Sequence, residues 1–332
     1  MSTNPLQTQS CTKCLVRPAT QADWEDPRLL RNYFDSAAPG IGRDLEVSSL
    51  QSLLNRDLQP PVLVGLFAEA ADDAIAGLRL EDKPWDTAML SARVRNLTLL
   101  ASANSQESRY QIASRLAAHC LENYPDHLGD CVFTRIPSDD AALLSALEEI
   151  GFHVLVPMVT LGKDGGGYGK QHILAGIELG DVRPEDIDQV GKIAATAFHW
   201  GRFTADFRVP RDAAERLHSA WARNCCLGSH ANRVLVARDN HEVLGFIALK
   251  FQRAHEVQLG SIELVAVSET SRGRGLGAIL VRQGCEWLSR FTKHVIVRTE
   301  LPNTAALRMY EAQGFRILNG SLYLSRWRPA AA

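Results

Sequence analysis

Apolar residues follow strand spacing and then helix spacing along this chain, in an order that runs through twice. In the C-terminal half the runs RVLVA (233–237), VLGFIALKF (243–251) and SIELVAV (261–267) are rich in β-branched and aliphatic residues and predict successive strands. Before them, Ile187, Val190, Ala194 and Ala197 recur at helical spacing. A second helix is predicted from about Gly275 to Phe291, because Leu276, Leu280, Trp287, Leu288 and Phe291 share one side. The strand VIVRTEL (295–301), a short helix TAALRMYEAQ (304–313) and a final pair of strands around RIL and SLYLSRW complete the pattern. This order predicts an α/β fold of the mixed α+β kind. Its sheet is mostly antiparallel, flanked by helices, with one βαβ crossover late in the chain.

The N-terminal half carries the same landmarks. Asp23 aligns with Asp186, Arg109 with Arg272, and Gly151-Phe152 with Gly314-Phe315, each pair 163 positions apart. A constant offset over three separated landmarks implies duplication of a whole domain-sized unit. With 332 residues the chain suits two such units. The Gly-rich stretch KDGGGYGKQ (163–171) reads as the connection, so the expected domains are 1–165 and 166–332.

Composition narrows the function. Hydrophobic residues make up 45% and the formal net charge is −2, without a long Lys/Arg run, so no nucleic-acid partner is expected. No tract is apolar enough for a membrane span, and the opening MSTNPLQTQS lacks a leader pattern, which makes the cytoplasm the expected location. Seven cysteines, an odd number, suit a reduced compartment. Cys11 and Cys14 form a lone CxxC, read as two free thiols rather than a metal site; no metal is expected.

The sharpest local feature is Arg272-Gly273-Arg274-Gly275-Leu276-Gly277, between a strand and a helix. Glycines here allow a tight turn and close ligand approach. The exposed N–H groups and the helix dipole favour a pyrophosphate, and the arginines add charge. The spacing also fits the dinucleotide fingerprint, but Ser268–Arg272 separate the turn from its strand and only 55 residues follow Gly277, too few for a Rossmann sheet. Downstream, Asn303, Ala306 and Tyr310 fall on one helix face, with Asn303 placed to cap the helix.

The strand ending in AV, the R-x-x-G-x-G turn, the downstream N-x-x-A and the Tyr before GF together resemble the GNAT family of acyl-CoA N-acyltransferases. The segment AFHWGRFTADFRVPRDAAERLHSAWARN, the KPWD of the first half and the ending SLYLSRWR are similar to the dTDP-fucosamine acetyltransferase type, which acts on nucleotide-linked amino sugars. The resemblance implies acetyl-CoA as co-substrate. Its extended arm would lie along Leu264, Val265, Ala266 and Val267, and its pyrophosphate on the turn Arg272–Gly277, beside Asn303 and Ala306. Tyr310 would protonate the leaving thiolate, a feasible transfer between a phenol of pKa about 10 and a thiol of about 8.5. Glu263, which alternation places with Ser261 and Val265, is the candidate base, with a surface carboxylate as the alternative reading. Cys285 reads as a core residue, which favours direct transfer in a ternary complex. Arg202, Phe203 and Arg208, with Trp200, are candidates for the acceptor site.

At the positions of Gly275, Gly277 and Tyr310 the first copy has Ile112, Ser114 and Leu147. It is therefore expected to be catalytically silent, covering the second domain's sheet and walling the acceptor pocket. The leading expectation for the acceptor is the amine of a nucleotide-linked amino sugar; the alternatives are an aminoglycoside, a polyamine or a protein amine, or an idle acyl-CoA sensor. A homodimer remains open.

Overall fold

The structure, a computed structural model, describes residues 17–18, 63–69, 74–123, 129–164, 175–254 and 257–328. Cys11, Cys14, Asp23 and residues 165–171 of the Gly-rich connection lie outside them. The N-terminal half contributes strands β1 (Arg17–Pro18), β2 (Leu63–Glu69), β3 (Ala74–Asp82), β4 (Val94–Ser102), β5 (Cys131–Pro137) and β6 (His153–Asp164). Its helices are α1 (Pro84–Leu90), α2 (Gln106–Asn123) and α3 (Ala141–Glu149). The C-terminal half contributes β7 (Glu178–Asp181), β8 (Arg233–Asp239), β9 (Glu242–Ala254), β10 (Val257–Val267), β11 (His294–Glu300) and β12 (Arg316–Trp327). Its helices are α4 (Ile187–Ala197), α5 (Arg202–Ala205), α6 (Arg211–Cys226), α7 (Leu276–Leu288) and α8 (Thr304–Ala312).

These strands form one continuous sheet in the order β1-β2-β3-β4-β5-β12-β6-β11-β10-β9-β8-β7. Only β4–β5 and β10–β11 pair in parallel; each pair is joined by a helical crossover, α2 in one half and α7 in the other. The order is nearly its own mirror, as duplication requires. The centre departs from two separate sheets. β6, the last strand of the first half, pairs with β11, while β12, the last of the second, pairs with β5, and the two also pair with each other. Each half thus completes its sheet with a strand of the other.

Two expectations change here. The first half does not cover the second domain's sheet; it continues that sheet edge to edge. The final pair of strands is one long strand, β12, whose register shifts between Ile317 and Asn319. Such a bulge bends a strand without ending it. The apolar stripe of α7 is as the periodicity indicates: Leu276, Leu280 and Leu288 are buried. Phe291 lies beyond the helix end, exposed and packed on Trp287 and Phe251.

Each half has its own core, with Phe152 buried in one and Phe315 in the other, the matched residues of the repeat. A further core joins them: Phe203, Val209, Ala213, Ala214 and Leu217, on or beside α5 and α6, pack on Val94, Cys131 and Phe133 of the first half. Asp206, 1% exposed, accepts hydrogen bonds from Ser325 Oγ and Trp327 Nε1 of β12, both at 2.7 Å. No helix among the described residues is long and apolar enough to cross a membrane.

Candidate functional site

The sheet opens at β10. Its parallel pairing with β11 covers only Leu259–Ile262 opposite His294–Val297, whereas its pairing with β9 continues to Val267. Between Ile262 and Leu264 the register to β9 shifts, leaving Glu263 as an inserted residue. A bulge increases local twist and turns the strand away from its neighbour. Beyond it the backbone edge of Leu264–Val267 faces a cleft, unpaired on that side by any described strand. In the first half β4 also outruns β5, yet its register to β3 is unbroken.

The cleft leads to the Gly-rich turn. Gly273 and Gly275 have φ of +76° and +80°, a left-handed backbone that costs a side-chain-bearing residue about 1–2 kcal/mol, and open space surrounds both. Gly275 caps the N-terminus of α7. Arg272 and Arg274 are exposed. The first copy is closed at the matching place. Arg109, in the position of Arg272, is buried and pairs with buried Asp140, in the position of Asn303, and also donates to the Ala101 carbonyl at 2.7 Å. Burial raises the Asp140 carboxyl above its ordinary pKa, and Arg109 acts against that rise. The two caps are otherwise equivalent: Asp140 accepts from Leu143 N at 3.1 Å and Asn303 from Ala306 N at 3.4 Å.

Tyr310, 2% exposed, packs edge-on against Phe315 at 5.4 Å between ring centroids. Its phenol pKa is raised, chiefly by burial, with contributions from Cys285 and Glu300. The phenol therefore holds its proton beyond the ordinary range. Cys285, 1% exposed, is in the same core.

Tyr310 lines a cavity of about 510 Å³ at the parting of β10 and β11. Glu263 lines it too, and its carboxylate accepts a hydrogen bond from Ser261. Two further ionisable groups were not singled out in the sequence. Glu300, at the end of β11, has its pKa raised by burial. His218, on α6, has its pKa lowered to about 4 by burial, so it is neutral near pH 7; its ring stacks on Phe198. His218 Nε2 and Glu300 Oε1 approach the same point, 3.6 and 3.7 Å from where a side chain at Gly201 would begin.

The expected acceptor residues divide. Arg202 and Phe203 line the cavity, but the Arg202 guanidinium is engaged, donating to Asp86 Oδ2 at 2.9 Å and lying over the Phe203 ring. Phe203 is 5% exposed and contributes mainly packing. Arg208 lies beside Asp206 and over Phe207, and neither it nor exposed Trp200 lines the cavity. Trp85, Asp86 and Tyr323, from the KPWD and SLYLSRW segments, do line it. The first half thus supplies part of the wall. No cluster of three metal-ligating side chains occurs among the described residues.

Comparison with known proteins agrees with this geometry. Residues 193–315, which span the opened strand, the turn and Tyr310, match the model of the acetyltransferase (GNAT) family. The spore coat polysaccharide biosynthesis protein SpsD of Bacillus subtilis is 27% identical over 82% of this chain and 91% of its own length. The dTDP-fucosamine acetyltransferase of Escherichia coli is 25% identical over 59% of this chain and 81% of its own. Among solved structures, a GCN5-related N-acetyltransferase from Sphaerobacter thermophilus superposes with a TM-score of 0.60 at 14% identity, covering 96% of this chain and 97% of that one. A tandem GNAT protein from the clavulanic acid biosynthesis pathway gives 0.58 at 14% identity, covering 96% and 100%; these two establish the shared fold. Over residues 193–315, in its C-terminal unit, the chain is thus similar to the GNAT family of acetyltransferases.

Proposed function

We propose that the protein is an acetyl-CoA-dependent N-acetyltransferase acting on the amine of a nucleotide-linked amino sugar, with residues 166–332 as the catalytic domain and 1–165 as a non-catalytic one. The observation that carries this reading is a coincidence of place: the cavity lies where β10 parts from β11 and gathers Tyr310, Glu263 and Glu300 around the freed strand edge. The sugar acceptor is supported by relatives named for spore coat polysaccharide biosynthesis and for acetylation of dTDP-fucosamine.

Acetyl-CoA supplies a thioester-activated acetyl group; its accommodation is supported by the open space at Gly273 and Gly275. The edge Leu264–Val267 receives its extended arm, and the turn Arg272–Gly277, beside Asn303 and Ala306, binds its pyrophosphate through backbone N–H groups at the start of α7. A backbone N–H near Val265, on that edge, would stabilise the charge that develops on the thioester oxygen as the neutral amine attacks. As the C–S bond breaks, Tyr310 gives its proton to the departing sulfur. The proton lost by the acceptor nitrogen goes to Glu263 or Glu300. Burial raises the proton affinity of Glu300 and so improves it as a base near neutral pH. Transfer is direct, since Cys285 is sealed in the core and unavailable as an acyl carrier.

A coenzyme A release assay tests the reading, with dTDP-linked amino sugars, free amino sugars, an aminoglycoside, a polyamine and a peptide amine as acceptors. Turnover greatest for the nucleotide-linked sugar is the expected result. Turnover confined to another amine would replace the acceptor, and acetyl-CoA binding without any turnover would make the protein a sensor.

A further inference from the structure

We infer that the acceptor cavity contains an anion subsite formed by Arg135 of the N-terminal half and Arg298 of the C-terminal half, where a phosphate, diphosphate or carboxylate of the acceptor binds. This rests on the acetyltransfer reading above and adds to it which end of the acceptor is read, and by which half.

The two arginines are one position of the duplicated sequence, 163 residues apart. Arg135 on β5 sits opposite Tyr323 of β12, and Arg298 on β11 sits opposite Thr160 of β6. Those facing residues are themselves 163 apart, so the pair straddles the local symmetry of the exchanged strands. Three strand spacings, about 14 Å, separate β5 from β11, and Arg298 is level with Thr160 where Arg135 is level with Val156, a further offset of about 13 Å along the strands. Both side chains line the one cavity. Among the described residues neither guanidinium forms a hydrogen bond or ion pair, and the charge of Arg135 helps burial to lower the Arg298 pKa.

The acids of the cavity do not balance them. Asp86 is taken by Arg202. Glu263, bonded to Ser261, is the carboxylate that acts on Arg298. Lys250 adds another cation to the lining. Both arginines are exposed to solvent at the cavity; an anion between them relieves the repulsion of two like charges, and each fork of N–H donors matches two oxygens of a phosphate or carboxylate. A first half that has closed its own donor cleft with Arg109 and Asp140 thereby keeps a part in acceptor binding.

Calorimetry on the full chain, saturated with coenzyme A so that the turn Arg272–Gly277 is filled, tests this with inorganic pyrophosphate and with galacturonate. Saturable binding of either is expected, weakened roughly 10- to 100-fold in Arg135→Gln and in Arg298→Gln. Arg135→Lys, which keeps the charge and loses the fork, should lie between, and its unchanged unfolding curve guards against a folding artefact. Pyrophosphate alone binding assigns a phosphate ester; galacturonate alone assigns a carboxylate. In kinetics, the preference in kcat/KM for an amino sugar 1-phosphate over the same free amino sugar should shrink in Arg135→Gln. Absence of binding by both probes, or equal affinity in wild type and both Gln variants, overturns the subsite. Turnover of amines without any anion preference removes the subsite and leaves acetyltransfer standing, while arginine-dependent anion binding with no turnover of any amine does the reverse.

Discussion

Tyr310→Phe isolates a single oxygen. The ring is 2% exposed and packs on Phe315 at 5.4 Å between centroids, contacts that phenylalanine reproduces, so no cavity opens and the fold should tolerate the change. The variant lacks the proton offered to the departing sulfur. Loss of a general acid costs about 10² to 10⁴ in rate, or roughly 3 to 5 kcal/mol of barrier. Because the phenol acts mainly in the transition state, kcat should carry the loss while KM for acetyl-CoA changes little. The pH dependence is set by the raised phenol pKa. With a phenol of ordinary pKa, activity would fall near pH 10 as the proton dissociates; here that alkaline limb is displaced upward, and wild-type kcat should stay flat through pH 10. Stability moves oppositely. A phenol that binds its proton more tightly folded than unfolded contributes fully below the unfolded pKa of about 10, and the contribution is lost as pH rises through the folded value. Wild type should therefore lose stability above pH 10 faster than Tyr310→Phe, read by urea unfolding. Wild-type kcat in the mutant would refute the general-acid role, and identical alkaline unfolding would refute the burial of the ionising group.

Other changes probe the remaining parts of the site. Gly275→Ile, which imports the residue of the first copy, places a β-branched side chain at φ +80° and should cost about 1–2 kcal/mol of stability while abolishing acetyl-CoA binding by calorimetry; residual binding would reveal a donor site in the first half. Glu300→Gln should erase an acid limb of kcat that burial has moved above the ordinary carboxylate range, whereas a limb lost only in Glu263→Gln would give the role to Glu263. Asp206→Ala strands the Ser325 hydroxyl and the Trp327 indole N–H and should cost about 2–5 kcal/mol in urea unfolding. A loss below 1 kcal/mol would show that water replaces the carboxylate.

Much of the donor side was legible because its parts are local. A strand, a Gly-rich turn and a helix follow one another within SIELVAVSETSRGRGLG, and Asn303, Ala306 and Tyr310 share one helix face, so spacing alone assembles them. The acceptor side is assembled by long-range pairing. Arg135, Arg298 and Tyr323 meet only because β12 lies between β5 and β6, and no local periodicity encodes which strand neighbours which. Arg202 illustrates the same limit: the sequence made it a candidate for the acceptor site, while its partner Asp86 lies 116 residues away. The bulge at Glu263 was hidden too, since strict alternation and a bulged strand share one apolar pattern until the partner's register is known. His218 and Glu300 could have been found by asking which polar residues fall on otherwise buried faces of α6 and β11.

The exchange of β6 and β12 also has a consequence for synthesis. β5 and β6 are neighbours in sequence but never pair in the finished sheet; the place between them belongs to the last strand of the chain. While the polypeptide emerges from the ribosome, the first half carries two open strand edges that no part of itself can properly close. Premature pairing of β5 with β6 would have to be undone before β12 could enter. A nascent chain ended before residue 316 should consequently be prone to aggregation and dependent on chaperones, since it lacks both the strand that fills the gap and Leu324, which β12 contributes to the first half's core. Closure of the sheet is thus a checkpoint on synthesis: only a chain translated through Trp327 can fill the place between β5 and β6.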